Sequence, residues 1–175
     1  PTRKNKVIFW NFAVVFGFHT AVDTCGQVGR EVMHDAMPYV DMWLYDLKHV
    51  SPDRHRMYTG TSNRRILDNL CWLAKQGASI EIRMPIVPTI NDSQEFIEGA
   101  AQFLASVDSI AAGRLLPYHR LAGSKYLSLG RKNTMPEVSS PSRGQMRQIA
   151  RWMGRYGLNV IVPEPIVGLV PKRRR

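Results

Sequence analysis

Cysteine is nearly missing from this chain: Cys25 and Cys71 are the two in 175 residues. That scarcity excludes a disulfide framework, and the wide separation of the pair matches no zinc-ligand spacing. A reducing, cytoplasmic setting is the expectation that follows. Long apolar runs are missing as well. The stretch from Val7 to Phe18 is interrupted by Asn11 and falls short of the ~20 residues a membrane helix needs, so no membrane role is expected. Arg3, Lys4 and Lys6 precede that stretch as they would in a signal peptide, but no small-residue cleavage site follows. Acidic residues are few, 14 against 24 Lys and Arg, for a net charge of +10. The excess is not a binding face. Arg3, Lys4, Lys6, Lys172, Arg173, Arg174 and Arg175 carry seven of those ten charges, leaving residues 7–171 at +3. Nucleic-acid binding needs basic charge clustered within the fold, so no nucleic-acid partner is expected. No short internal repeat and no low-complexity linker divides the chain, and its length suits one domain.

What is present is an alternation of strand and helix patterns. Residues 20–23 form a short β-prone run ended by Gly26. In residues 31–40, Val32, Ala36 and Val40 fall at helical spacing. Residues 41–48 read as a buried strand through Met42, Trp43, Leu44 and Tyr45. Ser51-Pro52-Asp53 then supplies a capping serine and a proline at the first helical position. Ser62 is the expected cap of the best-defined helix, whose apolar face holds Ile66, Leu67, Leu70, Leu73 and Ala74 before Gly77 stops it.

Residues 79–87 alternate as a strand, with Ile80, Ile82 and Met84 against Glu81 and Arg83. Asn91-Asp92-Ser93 opens a helix that turns Phe96, Ala100, Phe103 and Leu104 inward. Residues 114–119 form a further strand, a long loop runs to about Pro141, and a helix (145–156) and a strand (159–162) follow. Strands separated by single helices imply βαβ units and a parallel α/β sheet.

Ligands of parallel α/β proteins bind at the carboxyl ends of the strands. Four such ends carry polar groups: Asp23-Thr24-Cys25-Gly26, Asp46-Leu47-Lys48-His49, Arg83 in Ile82-Arg83-Met84-Pro85, and Pro117-Tyr118-His119. On adjacent strands they would line one rim with charges of both signs. Such a rim suits a zwitterionic ligand, because Lys and Arg pair a carboxylate while Asp accepts from an amine. Solvated strand ends joined by salt bridges are the alternative that spacing alone leaves open.

Five ordered motifs go further: His19-Thr20-Ala21-Val22-Asp23-Thr24-Cys25-Gly26, Leu44-Tyr45-Asp46-Leu47-Lys48-His49, Tyr58-Thr59-Gly60-Thr61-Ser62-Asn63, Ile82-Arg83-Met84-Pro85-Ile86-Val87-Pro88 with Asn91-Asp92, and Leu115-Leu116-Pro117-Tyr118-His119-Arg120-Leu121 with Ser124-Lys125-Tyr126. Over roughly residues 19–162 they closely resemble the radical S-adenosylmethionine enzymes that activate glycyl radical enzymes, the pyruvate formate-lyase activating enzyme family. The resemblance implies the last four strands of a partial (β/α)6 barrel of the TIM-like kind. Residues 1–18 stand apart as a divergent segment and 163–175 as a basic tail.

The implied chemistry is reductive cleavage of S-adenosylmethionine at a 4Fe–4S cluster. The resulting 5′-deoxyadenosyl radical takes a hydrogen atom from a glycine of the partner glycyl radical enzyme. A flavodoxin or ferredoxin is the implied electron donor. By resemblance, Asp46 and Lys48 contact the methionine end of S-adenosylmethionine, Arg83 supports its carboxylate or ribose, and His119 lies near the adenosyl part. Asp23, Thr24 and Asp46 match positions near a monovalent cation. His49, next to Lys48 on a strand, points the other way and is expected to pack. His19 is expected to be structural, and Cys25 a small buried residue rather than a ligand.

Two departures count against activity of the chain by itself. The family's Cys-x3-Cys-x2-Cys ligand motif has no counterpart among two distant cysteines, and the Gly-Gly-Glu motif that receives the amino group is absent. An interaction module without chemistry is therefore the second reading. It would dock the glycyl radical enzyme or a separately encoded N-terminal half, using Arg120, Lys125, Tyr126 and Arg131 of the long loop. A part-barrel would also leave one sheet edge unpartnered, which favours association.

Overall fold

A computed structural model describes residues 16–119 and 139–164. Strand β1 (Ala21–Thr24) is followed by helix α1 (Arg30–Ala36), which tightens into a 3-10 turn over Met37–Tyr39. Then come β2 (Met42–Asp46), α2 (Pro52–Thr59), α3 (Arg64–Lys75), β3 (Ile80–Ile86), α4 (Gln94–Ala105), β4 (Ile110–Pro117), α5 (Arg143–Gly154) and β5 (Val160–Ile161). The five strands form one sheet in chain order, and every neighbouring pair is parallel. Parallel neighbours need a crossover, and helices on the outer face provide it.

Alternation along the strands separates the two faces of the sheet. Trp43, Tyr45 and Leu47 are buried while Met42, Leu44 and Asp46 are half-buried. On β3, Ile80, Ile82, Met84 and Ile86 are fully buried and the residues between them are not. The buried set packs under Leu70 and Leu73 of α3, Ile97, Ala100 and Leu104 of α4, and Met146, Ile149 and Met153 of α5. Each Leu, Ile and Met of this set contributes about 1.5–3 kcal/mol on burial. The other face carries Asp46, Glu81 and Arg83 beside Met42 and Leu44.

Capping fixes where the helices begin. Ser51 accepts from the Arg54 amide with Pro52 at the first position, and Ser93 accepts from the Phe96 amide. Ser142 and Gln145 form a reciprocal capping box on α5, so that helix begins at Arg143, ahead of the expected residue 145. At α3 the cap is Asn63, not Ser62. The Asn63 amide is drawn inward to the His49 carbonyl at 2.6 Å, and Ser62 Oγ accepts from the Arg64 amide at 3.4 Å.

The parallel α/β class stands, and the five strands among the described residues answer to the five strand patterns of the sequence, one more than the resemblance implied. The fifth is the two-residue β5, which pairs Val160 and Ile161 with Gly113 and Arg114. Strand β4 starts at Ile110, four residues ahead of the expected start at 114, and ends at Pro117, so His119 lies beyond it. Ala111, Ala112 and Gly113 are too small to give a readable alternation. Most of residues 1–18, the loop residues Arg120, Lys125, Tyr126 and Arg131, and most of the basic tail lie outside the described residues. Among the described residues no helix is long and apolar enough to cross a membrane.

Candidate functional site

Sheet register gathers the polar residues of the inner face into two rows. Asp23, Leu44, Glu81 and Ala112 are partners across β1 to β4, and Asp46, Arg83 and Arg114 are partners one step nearer the carboxyl edge. Arg83 reaches across β2 to pair with Asp23 on β1. Lys48, just past β2, places its ammonium 3.2 Å from Asp46. The sequence-predicted rim is therefore assembled at four positions: Asp23, Asp46, Lys48 and Arg83. Its groups stay reachable, since the side chains of Lys48 and Arg83 are 40% and 25% exposed.

His119 lies at the same edge, exposed, two residues past β4. The Tyr118 amide donates to the Ile86 carbonyl at 3.0 Å and extends the β3–β4 pairing to that point. Thr24 goes elsewhere: alternation puts it on the face opposite Asp23, and its hydroxyl accepts from the Gly26 amide at 3.0 Å. His49 packs, as expected. Its ring lies 4.4 Å from that of Phe96, and Nδ1 accepts from the Ser51 amide at 3.0 Å. Burial, with Arg54 and His55 nearby, lowers its pKa.

A third ion pair was not anticipated. Arg114 holds Glu81 with two parallel hydrogen bonds of 2.6 and 2.9 Å. The sequence put Glu81 and Arg83 on one face, but it gave no sign that Arg114 would stand opposite. Hydrogen bonding from Arg114 holds the Glu81 carboxyl below the usual carboxylate range, against a smaller opposing effect of burial. The sign follows directly. With a depressed folded-state pKa, Glu81 contributes stability above its unfolded value of ~4.3 and loses it as pH falls through the folded value. Denaturant unfolding should show Glu81→Gln to be less stable than the parent by about 1–3 kcal/mol at neutral pH. The difference should shrink as pH falls below ~4.3; a constant difference would contradict the assignment.

The thiols do not form a metal centre. Cys25 and Cys71 both lie within electrostatic reach of the buried Tyr45 hydroxyl, and burial raises the pKa of that phenol and of the Cys71 thiol. Among the described residues no group of three or more His, Cys, Asp or Glu is gathered to hold a metal. The cysteines of this chain do not fit an iron–sulfur cluster. The rim instead sets carboxylates and cations at close range, a donor set for a ligand that carries both signs of charge. A polar hollow of about 650 Å³ between the β1–α1 loop and α3, edged by Arg30, Glu31, Arg65 and Asp68, contains none of the rim residues.

A five-stranded parallel sheet flanked by helices places the chain in the parallel α/β class, and the solved structures that share its fold include a radical SAM methyltransferase from Sphaerobacter thermophilus, with a TM-score of 0.62 at 14% identity, over 85% of this chain and 42% of that one. The solved domain of pyruvate-formate lyase-activating enzyme from Bacteroides vulgatus superposes with a TM-score of 0.75 at 24% identity, over 90% of this chain and 89% of that one. No protein-family model matches the chain. In sequence it is 33% identical over 149 residues to the choline trimethylamine-lyase activating enzyme of Oleidesulfovibrio alaskensis, covering 83% of this chain and 48% of the relative. It is 39% identical over 122 residues to the isethionate sulfite-lyase activating enzyme of Desulfovibrio desulfuricans, covering 69% and 39%. Over the matched stretch the chain belongs to the family of glycyl-radical enzyme activating enzymes. It spans about half the length of these relatives or less.

Proposed function

We propose that this chain forms the wall of a radical S-adenosylmethionine site that receives the amino-acid end of the cosubstrate, in the service of activating a glycyl radical enzyme. The observation that carries the reading is the rim itself. Asp46–Lys48 and Asp23–Arg83 set two carboxylates and two cations side by side on adjacent strands. Asp46 accepts from the ammonium of the ligand, and Lys48 and Arg83 pair its carboxylate. Asp23 keeps the Arg83 guanidinium over β2, and His119 stands at the adenosyl side. A monovalent cation at Asp23, Thr24 and Asp46 would have to displace Arg83 from Asp23, and we assign it no role. S-adenosylmethionine, when bound at a reduced iron–sulfur centre, supplies the 5′-deoxyadenosyl radical.

In this reading residues 19–162 are the barrel portion, between a divergent segment (1–18) and a basic tail (163–175). The iron–sulfur ligands come from outside this sequence. The partner is a pyruvate formate-lyase-like enzyme, the electron donor a flavodoxin or ferredoxin, and the setting cytoplasmic. Anaerobic reconstitution of the chain with iron and sulfide, followed by assay for 5′-deoxyadenosine, should give no product above the iron-and-sulfide blank. Robust formation would overturn the view that the cluster ligands lie elsewhere. A chain that binds no S-adenosylmethionine would leave the second reading, a docking module without chemistry.

A further inference from the structure

The pairing of β2 with β3 has a gap beside the rim, and one buried side chain bridges it. The last rung is the Leu47 amide donating to the Arg83 carbonyl at 2.9 Å. In a parallel ladder the next donor would be the amide of residue 85, and Pro85 has none. Beyond that rung Lys48, and Pro85 two residues past Arg83, would be free to separate. Asn91, in the loop between β3 and α4 and only 3% exposed, spans the gap. Its Nδ2 donates to the Pro85 carbonyl at 2.8 Å and to the Lys48 carbonyl at 3.1 Å. Its Oδ1 accepts from the Val87 amide at 2.7 Å. Both amide hydrogens and the carbonyl oxygen are engaged, two of them on the strand ends that hold the rim. Asn63 continues the device one residue on, donating to the His49 carbonyl.

We propose that Asn91 is a positioning residue. By fixing the backbone of Lys48 and Pro85 it sets the separation of Lys48 and Arg83, and so the reach of the two cations toward one ligand carboxylate. Misplacement of such groups by a fraction of a bond length weakens recognition far more than it weakens folding. The inference rests on the reading of the rim given above.

The decisive comparison pits Asn91→Asp against Leu104→Ala, a cavity in the buried face of α4 that lowers stability without touching the rim. Asn91→Asp keeps the shape and the acceptor for the Val87 amide, but loses both donors and faces two carbonyls with a carboxylate. Affinity for S-adenosylmethionine, by equilibrium titration, should fall about tenfold further in Asn91→Asp than in Leu104→Ala at an equal loss of melting temperature. Equal affinities in the two variants would overturn the proposal. Reductive methylation of Lys48, followed by peptide mass spectrometry, separates this inference from the reading beneath it. If the parent chain binds no S-adenosylmethionine, the rim reading fails. The positioning role is then decided by whether Lys48 in Asn91→Asp reacts as fast as the exposed Lys75. It should do so there and not in Leu104→Ala, and an unchanged rate would sink the positioning role. If Asn91→Asp does not fold, Asn91→Ser removes the reach to both carbonyls without adding charge and carries the same comparisons.

Discussion

Replacing Lys48 with alanine should lower the affinity of this chain for S-adenosylmethionine by about ten- to a hundredfold, while Arg155→Ala leaves it within about twofold. Lys48 is 40% exposed and its bond to Asp46 is 3.2 Å long. A pair so open to water adds less than ~1 kcal/mol to stability, so the melting temperature should barely move. Binding is different. A cation donating to the ligand carboxylate contributes about 1.5–3 kcal/mol, and each 1.4 kcal/mol is a factor of ten. Removing Lys48 also leaves Asp46 uncompensated where the carboxylate must sit. Arg155 is a fair control because it lies just past α5, with its guanidinium 3.7 Å from Glu98 of α4, in the helical layer behind the sheet. Equal small losses in the two variants, by equilibrium titration, would mean that Lys48 does not face the ligand.

Gly26→Ala should cost about 3–5 kcal/mol of stability, enough to unfold much of a domain of ordinary stability. Two effects add. Gly26 has φ +69, where a residue with a Cβ is penalised by about 1–2 kcal/mol. The added Cβ would also fall inside the van der Waals envelope of the Tyr45 hydroxyl and Cζ, and only 2.9 Å from Cε2. Tyr45 cannot yield easily. It is 0% exposed, and its hydroxyl donates to the Ile66 carbonyl at 2.7 Å. The loop is held from its other side by Asn69, which donates to the carbonyls of Gly26 and Val28 at 2.9 Å each. Tyr45→Phe should not rescue the variant, since Cζ remains in the way, whereas Tyr45→Leu should recover part of the loss. Additive costs in the Gly26→Ala/Tyr45→Leu double variant, measured by denaturant unfolding, would contradict the steric account.

Much of the site was legible because its signals were local. Asp46 and Lys48 lie two apart on a strand, so alternation alone puts them on one face, and the structure pairs them. The Asp23–Arg83 pair depends on the order of the strands as well, which the sequence left open and the sheet supplies. The unread features depend on register or on backbone geometry. Glu81 meets Arg114 only because β4 is aligned so that Arg83 and Arg114 are partners, and no spacing within either strand fixes that alignment. Asn91 reads from sequence as part of a helix start, yet Ser93 takes the cap and leaves the Asn91 amide to close the gap at Pro85. Asn63 was passed over for Ser62 for a similar reason: the carbonyl it reaches belongs to His49, 14 positions away. The last strand was read at 159–162, and the structure keeps its two central residues, Val160 and Ile161.

The most direct test of the rim is a side-by-side titration of the unaltered chain with S-adenosylmethionine and with 5′-methylthioadenosine. The second compound keeps the adenosine and the sulfur but lacks the amino-acid end that Asp46, Lys48 and Arg83 are assigned to hold. S-adenosylmethionine should bind at least about tenfold more tightly, an advantage of ~1.4 kcal/mol or more that disappears in Lys48→Ala. Equal binding of the two compounds would show that these charged strand ends do not read the methionine end, and the central claim would fail.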